Sequence, residues 1–267
     1  MNEAMIEKIM GEVMQKMGGE GESKPSCKPA ASAVAGCCGL TEYVGTATGR
    51  TIGLVIPNVD PLIHDLMKID KKYRSIGIIG ARTGAGPQIF AADEAVKATN
   101  SEVISIELAR DTEGGAGHGS LILFGAADVP DARRAVEVSL KEVERTFGDV
   151  YGSPAGHLEF QYTARASGAL NKAFGAPIGQ SFGITVGAPA AIGVVLADVA
   201  AKAATVNAVG YSSPGNGGTS FSNEVIFTFS GDSGAVRQAL IAAREVGLKL
   251  LSTMGPEEIK STTTPYI

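Results

Sequence analysis

A-A-D-E-A-V-K-A-T-N at Ala91–Asn100 returns as L-A-D-V-A-A-K-A-A-T at Leu196–Thr205, and this recurrence decides the fold. Phe90–Phe124 and Val195–Phe229 align without a gap at a constant spacing of 105 residues: Asp93 meets Asp198, Lys97 meets Lys202 and Phe124 meets Phe229. Upstream, S-I-G-I-I-G-A (Ser75–Ala81) matches S-F-G-I-T-V-G-A (Ser181–Ala188); downstream, Gly125–Val136 matches Ser230–Leu240. Each copy reads strand, helix, strand, Gly-rich loop, strand, helix. A period of about 100 residues is too long for a solenoid unit and suits a whole small domain. The chain is a tandem-domain protein.

Outward from the repeat, copy one carries strand patterns at Thr51–Pro57, Ser75–Ala81, Val103–Leu108 and Ser120–Phe124. Helices are expected around Leu62–Ile69, at Pro87–Thr99 and at Pro130–Phe147. Copy two repeats the order through strands Leu158–Ala164, Phe182–Val186, Val206–Tyr211 and Val225–Phe229, with helices Pro189–Ala204 and Ser233–Leu251. The class is α+β, each unit a small mixed sheet covered by helices. The domains are expected at 46–150 and 151–254, with a polar tail at 255–267. Residues 1–45 are expected to form an amphipathic helix plus a flexible tether. Ile6, Ile9, Met10, Val13 and Met17 give residues 1–17 an apolar stripe at helical spacing. Gly, Ser, Ala, Pro and Thr then dominate. A docking peptide and a tail without a role are both compatible with this segment.

Composition excludes several functions. With a net charge of −5 and no basic run, the 267-residue chain lacks the footprint of a nucleic-acid binder. No apolar run reaches the length of a membrane span, so a soluble, cytoplasmic protein is expected. Cys27, Cys37 and Cys38 lack the C-x-x-C spacing of a zinc site, and no metal or cofactor is implied.

Catalytic signatures are equally sparse. G-A-R-T-G-A-G-P-Q (Gly80–Gln88) sits between strand and helix, where phosphate loops occur, but it lacks the Lys-Ser/Thr pair and Pro87 removes a donor. It reads better as a turn and helix N-terminus. Of the histidines His64, His118 and His157, His118 lies beside Asp111 and Glu113, but Asn223 replaces it in copy two. No catalytic residue is assigned. What recurs is a long Gly-rich polar loop in each copy, from Glu107 to Gly119 and from Ser212 to Asn223. Loops of this length are commonly functional, and small hydroxyl and amide groups suit a lining that neutral solutes pass.

The two A-D-x-x-x-K helices, the strands V-I-S-I-E-L and V-N-A-V-G-Y, and G-D-S-G-A-V resemble the shell domain of bacterial microcompartments (BMC) over about residues 46–254. V-I-P-N-V-D-P-L (Val55–Leu62) precedes the first copy, where the ordinary domain closes with such a strand and helix, so the order is circularly permuted. Together with Leu40–Pro57, it is similar to the tandem shell proteins of propanediol-utilisation compartments; ethanol-utilisation shell proteins share the architecture. The resemblance implies a homotrimer whose six domains form a pseudohexagonal tile in a shell with other shell proteins. Its pores would pass small polyols or alcohols, such as 1,2-propanediol or glycerol, and retain an aldehyde, without enzyme activity. Candidate pore residues are Glu107, Arg110, Asp111, Glu113 and His118 from copy one, and Asn216, Ser220, Ser222 and Asn223 from copy two. Asn58 and Asp60 would contribute to a channel within the subunit. Lys97 and Lys202 match the family's tile-edge lysine. The N-terminal helix would attach encapsulated enzymes. The family's R-P-H reads P-N-V-D here, so its edge arginine is not carried over. A binding module, or an enzyme using the 80–88 loop, is the alternative.

Overall fold

Alternation dictates the strands. In T-I-G-L-V-I the residues Thr51, Gly53 and Val55 are buried and those between them are more open, the period of a sheet with one covered face. The computed structural model describes residues 41–109 and 119–267. The N-terminal helix, most of the tether, the three cysteines, Arg110, Asp111, Glu113 and His118 lie outside the described residues.

Sheet one is built from β1 (Glu42–Ala47), β2 (Thr51–Ile56), β3 (Ser75–Ala81), β4 (Glu102–Ala109) and β5 (Gly119–Ala126), in the order β1-β2-β3-β5-β4. Its helices are α1 (Pro61–Met67), α2 (Ala85–Lys97) and α3 (Val129–Thr146). Sheet two contains β6 (Val150–Ser153), β7 (Gly156–Thr163), β8 (Ser181–Ala188), β9 (Val206–Ser212), β10 (Val225–Gly231) and β11 (Lys260–Ser261). Its order, β11-β6-β7-β8-β10-β9, repeats that of sheet one with one strand added at the edge. The helices of this half are α4 (Gly168–Phe174), α5 (Ala190–Ala203) and α6 (Ser233–Leu251). β2 and α1 precede β3 as β7 and α4 precede β8, which is the permuted order in both halves.

Four features depart from the sequence expectation. Every pairing among the described residues is antiparallel, so the sheets are not mixed. The crossover helices join strands that are not neighbours. Second, the tether does not extend to residue 45. β1 pairs with β2, and Arg133 clamps Glu42 with two bonds of 2.7 and 2.6 Å. Third, α4, in the stretch between two expected strands, is a helix with no expected counterpart in the reading of copy two. Fourth, the polar tail at 255–267 is tied to the second half. β11 pairs with β6, and the buried Asp149 carboxylate accepts from Tyr266 N (2.8 Å) and Ile267 N (3.0 Å) and pairs with Arg244. A buried charge held by several donors fixes this segment in place.

α2 and α3 pack on one another and on sheet one; α5 and α6 do the same on sheet two. Unlike α5, α2 also packs on α4 and β7 of the other half. At that seam Asp93, fully buried, accepts from Ser167 N (3.0 Å), Ser167 Oγ (2.8 Å) and Leu170 N (3.1 Å), while Lys97 Nζ stands 3.0 Å away. Ser167 is the N-cap of α4 yet makes no capping bond with its own side chain, so Asp93 supplies the cap from the other half. Asp93→Ala leaves two orphaned N–H groups and takes from Lys97 one of its two carboxylate partners, Glu94 remaining. We expect a loss of about 2–4 kcal/mol in denaturant unfolding, with Asp93→Asn losing less.

Candidate functional site

The loop G-A-R-T-G-A-G brings the halves together because it is small. Gly84 begins α2 at φ 73°, and no side chain caps that end of the helix. A Cβ on Gly86 would stand 1.8 Å from Oε1 of Glu159, so with the Glu159 side chain in this position glycine lets the start of α2 approach β7. The loop is thus a turn and helix start, and it forms one wall of a cavity of about 350 Å³ between the two halves.

The opposite wall comes from β7, read H-L-E-F-Q-Y-T. Leu158 and Phe160 join the core of the second half. His157, Glu159 and Gln161 alternate with them and face the other way, yet all three are buried. Gln161 is satisfied, donating to Thr146 O at 2.8 Å and accepting from Tyr266 Oη at 3.0 Å. His157 Nε2 lies 3.2 Å from Glu224 Oε2. Glu159 Oε1 has no hydrogen-bond partner. Burial, reinforced by the neighbouring Glu224 carboxylate and partly offset by Gln161, pushes the Glu159 carboxyl up to about 8 from its ordinary 4.5. Ile89, Phe147, Phe174, Ile184, Val186 and Ile226 supply the apolar surround. A neutral carboxyl in such a setting can donate one hydrogen bond and accept another.

None of the expected pore residues among the described ones lines this cavity. Asn58 is exposed, and Asp60 caps α1 through Leu62 N at 2.8 Å. Glu107 accepts from Ser105 Oγ at 3.0 Å and borders a separate cleft near Met67 and Lys172. Asn216 ties its own turn by accepting from Ser213 N and Gly218 N, both at 2.9 Å. Ser220 and Ser222 belong to the same turn system, and Asn223 accepts from Ala190 N at the start of α5. Lys97 is held at the seam by Asp93, Glu94 and Thr163, whereas Lys202 pairs with exposed Asp198. His64 is buried but does not line the cavity, with Nδ1 3.4 Å from Ile69 O.

His157, Glu159 and Glu224 are what residue-level reading of the sequence passes over. A polar residue at every second position of a strand is the signature of a solvated face, and here the other half covers it. One sign does survive in the sequence: the counterparts of His157 and Glu159 in copy one are Arg50 and Ile52, so the acid belongs to one copy alone.

A carboxyl whose folded value lies above its unfolded one favours folding in its protonated form, so stability falls as pH rises between about 4.5 and 8. Glu159→Gln removes that penalty. The variant should match the parent at pH 5 and exceed it at pH 9, by on the order of 4 kcal/mol at most. Parallel thermal melts at the two pH values measure the difference.

Comparison with known proteins agrees with this architecture. The BMC domain matches residues 181–260. Bacterial microcompartment shell protein PduB of Salmonella typhimurium is 66 % identical over 230 residues, covering 86 % of this chain and 84 % of that one. The crystal structure of a trimeric PduB covers 85 % of this chain and 99 % of its own, at 54 % identity and TM-score 0.81. EtuB from Clostridium kluyveri matches at 57 % identity and TM-score 0.82, covering 85 % and 98 %. Two permuted BMC domains in one chain, joined at a buried seam, and relatives of this identity lead to one conclusion: the chain belongs to the PduB family of bacterial microcompartment shell proteins.

Proposed function

We propose that the chain acts as a homotrimeric tile, assembled with other shell proteins in a cytoplasmic compartment, and that its seam cavity admits small neutral polyols. The observation that carries this reading is the unpartnered Oε1 of buried Glu159 inside a largely apolar cavity. A diol such as 1,2-propanediol, or glycerol, offers a hydroxyl that accepts from the neutral carboxyl and a second that donates to it, while its carbon chain lies on the Ile and Phe wall. An aldehyde can accept but cannot donate. One unmade hydrogen bond of about 1 kcal/mol gives a preference of roughly fivefold for the diol. Retention of the aldehyde would follow from weaker entry, with no chemical step at the site.

The resemblance to ethanol-utilisation shell proteins gives a second version in which the solute is a simple alcohol such as ethanol; the same carboxyl serves one hydroxyl. The two Gly-rich loops, with Glu107, Arg110, Asp111, Glu113, His118, Asn216, Ser220, Ser222 and Asn223, stay proposed as lining for a central pore, and Asn58 and Asp60 for a channel within the subunit. Lys97 and Lys202 remain proposed edge residues, and the apolar stripe of residues 1–17 a proposed attachment for enzyme cargo.

Titration calorimetry with 1,2-propanediol, ethanol and propionaldehyde at pH 6.5 tests the reading. Diol binding should weaken at least about tenfold in Glu159→Leu, which removes both polar functions, and change little in Glu159→Gln. Equal binding of diol and aldehyde, or indifference to Glu159→Leu, overturns it.

A further inference from the structure

Besides the 83–86 loop and β7, the wall of the seam cavity includes Thr262, from the segment 260–267. That segment crosses from one half to the other. On the second half, Lys260 and Ser261 pair with Gly152 and Tyr151 of β6, and Thr262 gives its N–H and its hydroxyl to Val150 O at 2.8 and 3.0 Å. On the first, Thr263 Oγ1 donates to Glu144 O at 2.6 Å, and the Arg145 guanidinium lies 4.8 Å from the centre of the Tyr266 ring. The end of the segment returns to the second half. There Asp149 accepts from its backbone, and the Tyr266 hydroxyl donates to Gln161 Oε1 at 3.0 Å. Gln161 stands two residues from Glu159 on the same side of β7.

The attachment is polar and local. No residue of 260–267 is fully buried; Lys260, Thr262, Thr264 and Pro265 are exposed, and the pairing with β6 spans two residues. Ile267 is the residue of the segment that reaches the apolar cluster of the second half. A cleft of about 740 Å³ lies between Thr263–Tyr266 and Leu140 and Lys141 of α3, so the segment has room beside it. A segment with few apolar contacts and exposed backbone bonds opens at a lower cost than global unfolding.

We propose that the segment 260–267 is the lid of the seam cavity, latched by Asp149 and displaced to admit solute beside Thr262. The proposal rests on the solute reading of that cavity and adds its entrance. With the lid closed, Thr262 completes the wall, and Tyr266 holds the Gln161 amide and keeps water from the end of the cavity where Glu159 stands. With it open, water and solute reach the carboxyl from that side. The latch is a buried carboxylate whose partners on the lid are two backbone N–H groups, so the lid can leave while Arg244 still pairs with Asp149.

Two measurements test the lid, neither of which needs a bound solute. In hydrogen exchange of the parent chain, residues 260–267 should exchange at least about a hundredfold faster than β7 and β8, because a lid opens without the sheet. Infrared titration then follows the carboxyl band that Glu159→Gln removes. Its midpoint, about 8 in the parent, should fall by at least about one pH unit on deletion of residues 262–267 and in the milder Tyr266→Ala, as water reaches the carboxyl. His157 and Glu224, the charged neighbours of Glu159, are unchanged in both. Tyr266→Phe keeps the ring on Arg145 and the backbone bonds to Asp149, and should stay closer to the parent. A segment that exchanges as slowly as β7, or a midpoint unmoved by both Tyr266→Ala and the deletion, overturns the lid. An ordinary carboxylate midpoint in the parent overturns it as well, since no dry site is then being closed. If both measurements come out as expected and 1,2-propanediol does not bind the parent, the solute reading falls and the lid stands as a gate to water.

Discussion

One apolar cluster belongs to neither half of this protein. It runs from Val55, Ile79 and Phe124 of sheet one, through Ile89 and Phe90 of α2, to Leu170, Phe182, Ile184 and Val186 of the second half. Burying a side chain of this size is worth about 1.5–3 kcal/mol, so several such residues make the shared cluster a large part of what holds the halves together. The consequences are geometric. α2 must be apolar on two faces, Gly84 and Gly86 must lack side chains, and β7 must accept a covering on the side that a lone sheet would leave to water. A repeat that folded as two beads on a string would need none of this.

Much of the architecture is legible in the sequence because repetition is independent evidence. Ser75–Ala81 and Ser233–Leu251 are bounded in the structure where the alternating and helical patterns end. Misreadings fall where local composition competes with long-range pairing. E-Y-V-G-T-A looks like linker because Gly45 interrupts it, yet it pairs with β2, and Leu140 of α3 lies against it at that glycine. P-E-E-I-K-S-T-T-T-P-Y-I looks like a tail because its polarity dominates, yet Asp149 and Tyr266 anchor it. G-A-L-N-K-A-F is too short to show periodicity, and it is fixed as a helix by an acid from the other half.

The site is less legible than the fold for a related reason. Alternation says which residues share a side of β7 but not what lies over that side. His157, Glu159 and Gln161 therefore pass for a wet face, and the residues with more evident chemistry, in the Gly-rich loops, draw attention away from them. Loop residues such as Asn216 and Asn223 spend their polar atoms on backbone N–H groups. Glu159 keeps one oxygen unspent. Satisfaction of hydrogen bonds, which only three-dimensional contact reveals, separates the two kinds of polar residue.

The two copies differ at the positions from which the second one lines the seam. Arg50, Ile52 and Gly119 stand at the copy-one positions that correspond to His157, Glu159 and Glu224. A ring of six identical domains must accept any substitution at all six junctions at once, including a buried acid that weakens each of them. Fusing two domains in one chain lifts that constraint. In the proposed trimer, half of the junctions would carry an acid and its cost in stability, while the other half would stay free to evolve purely as adhesive.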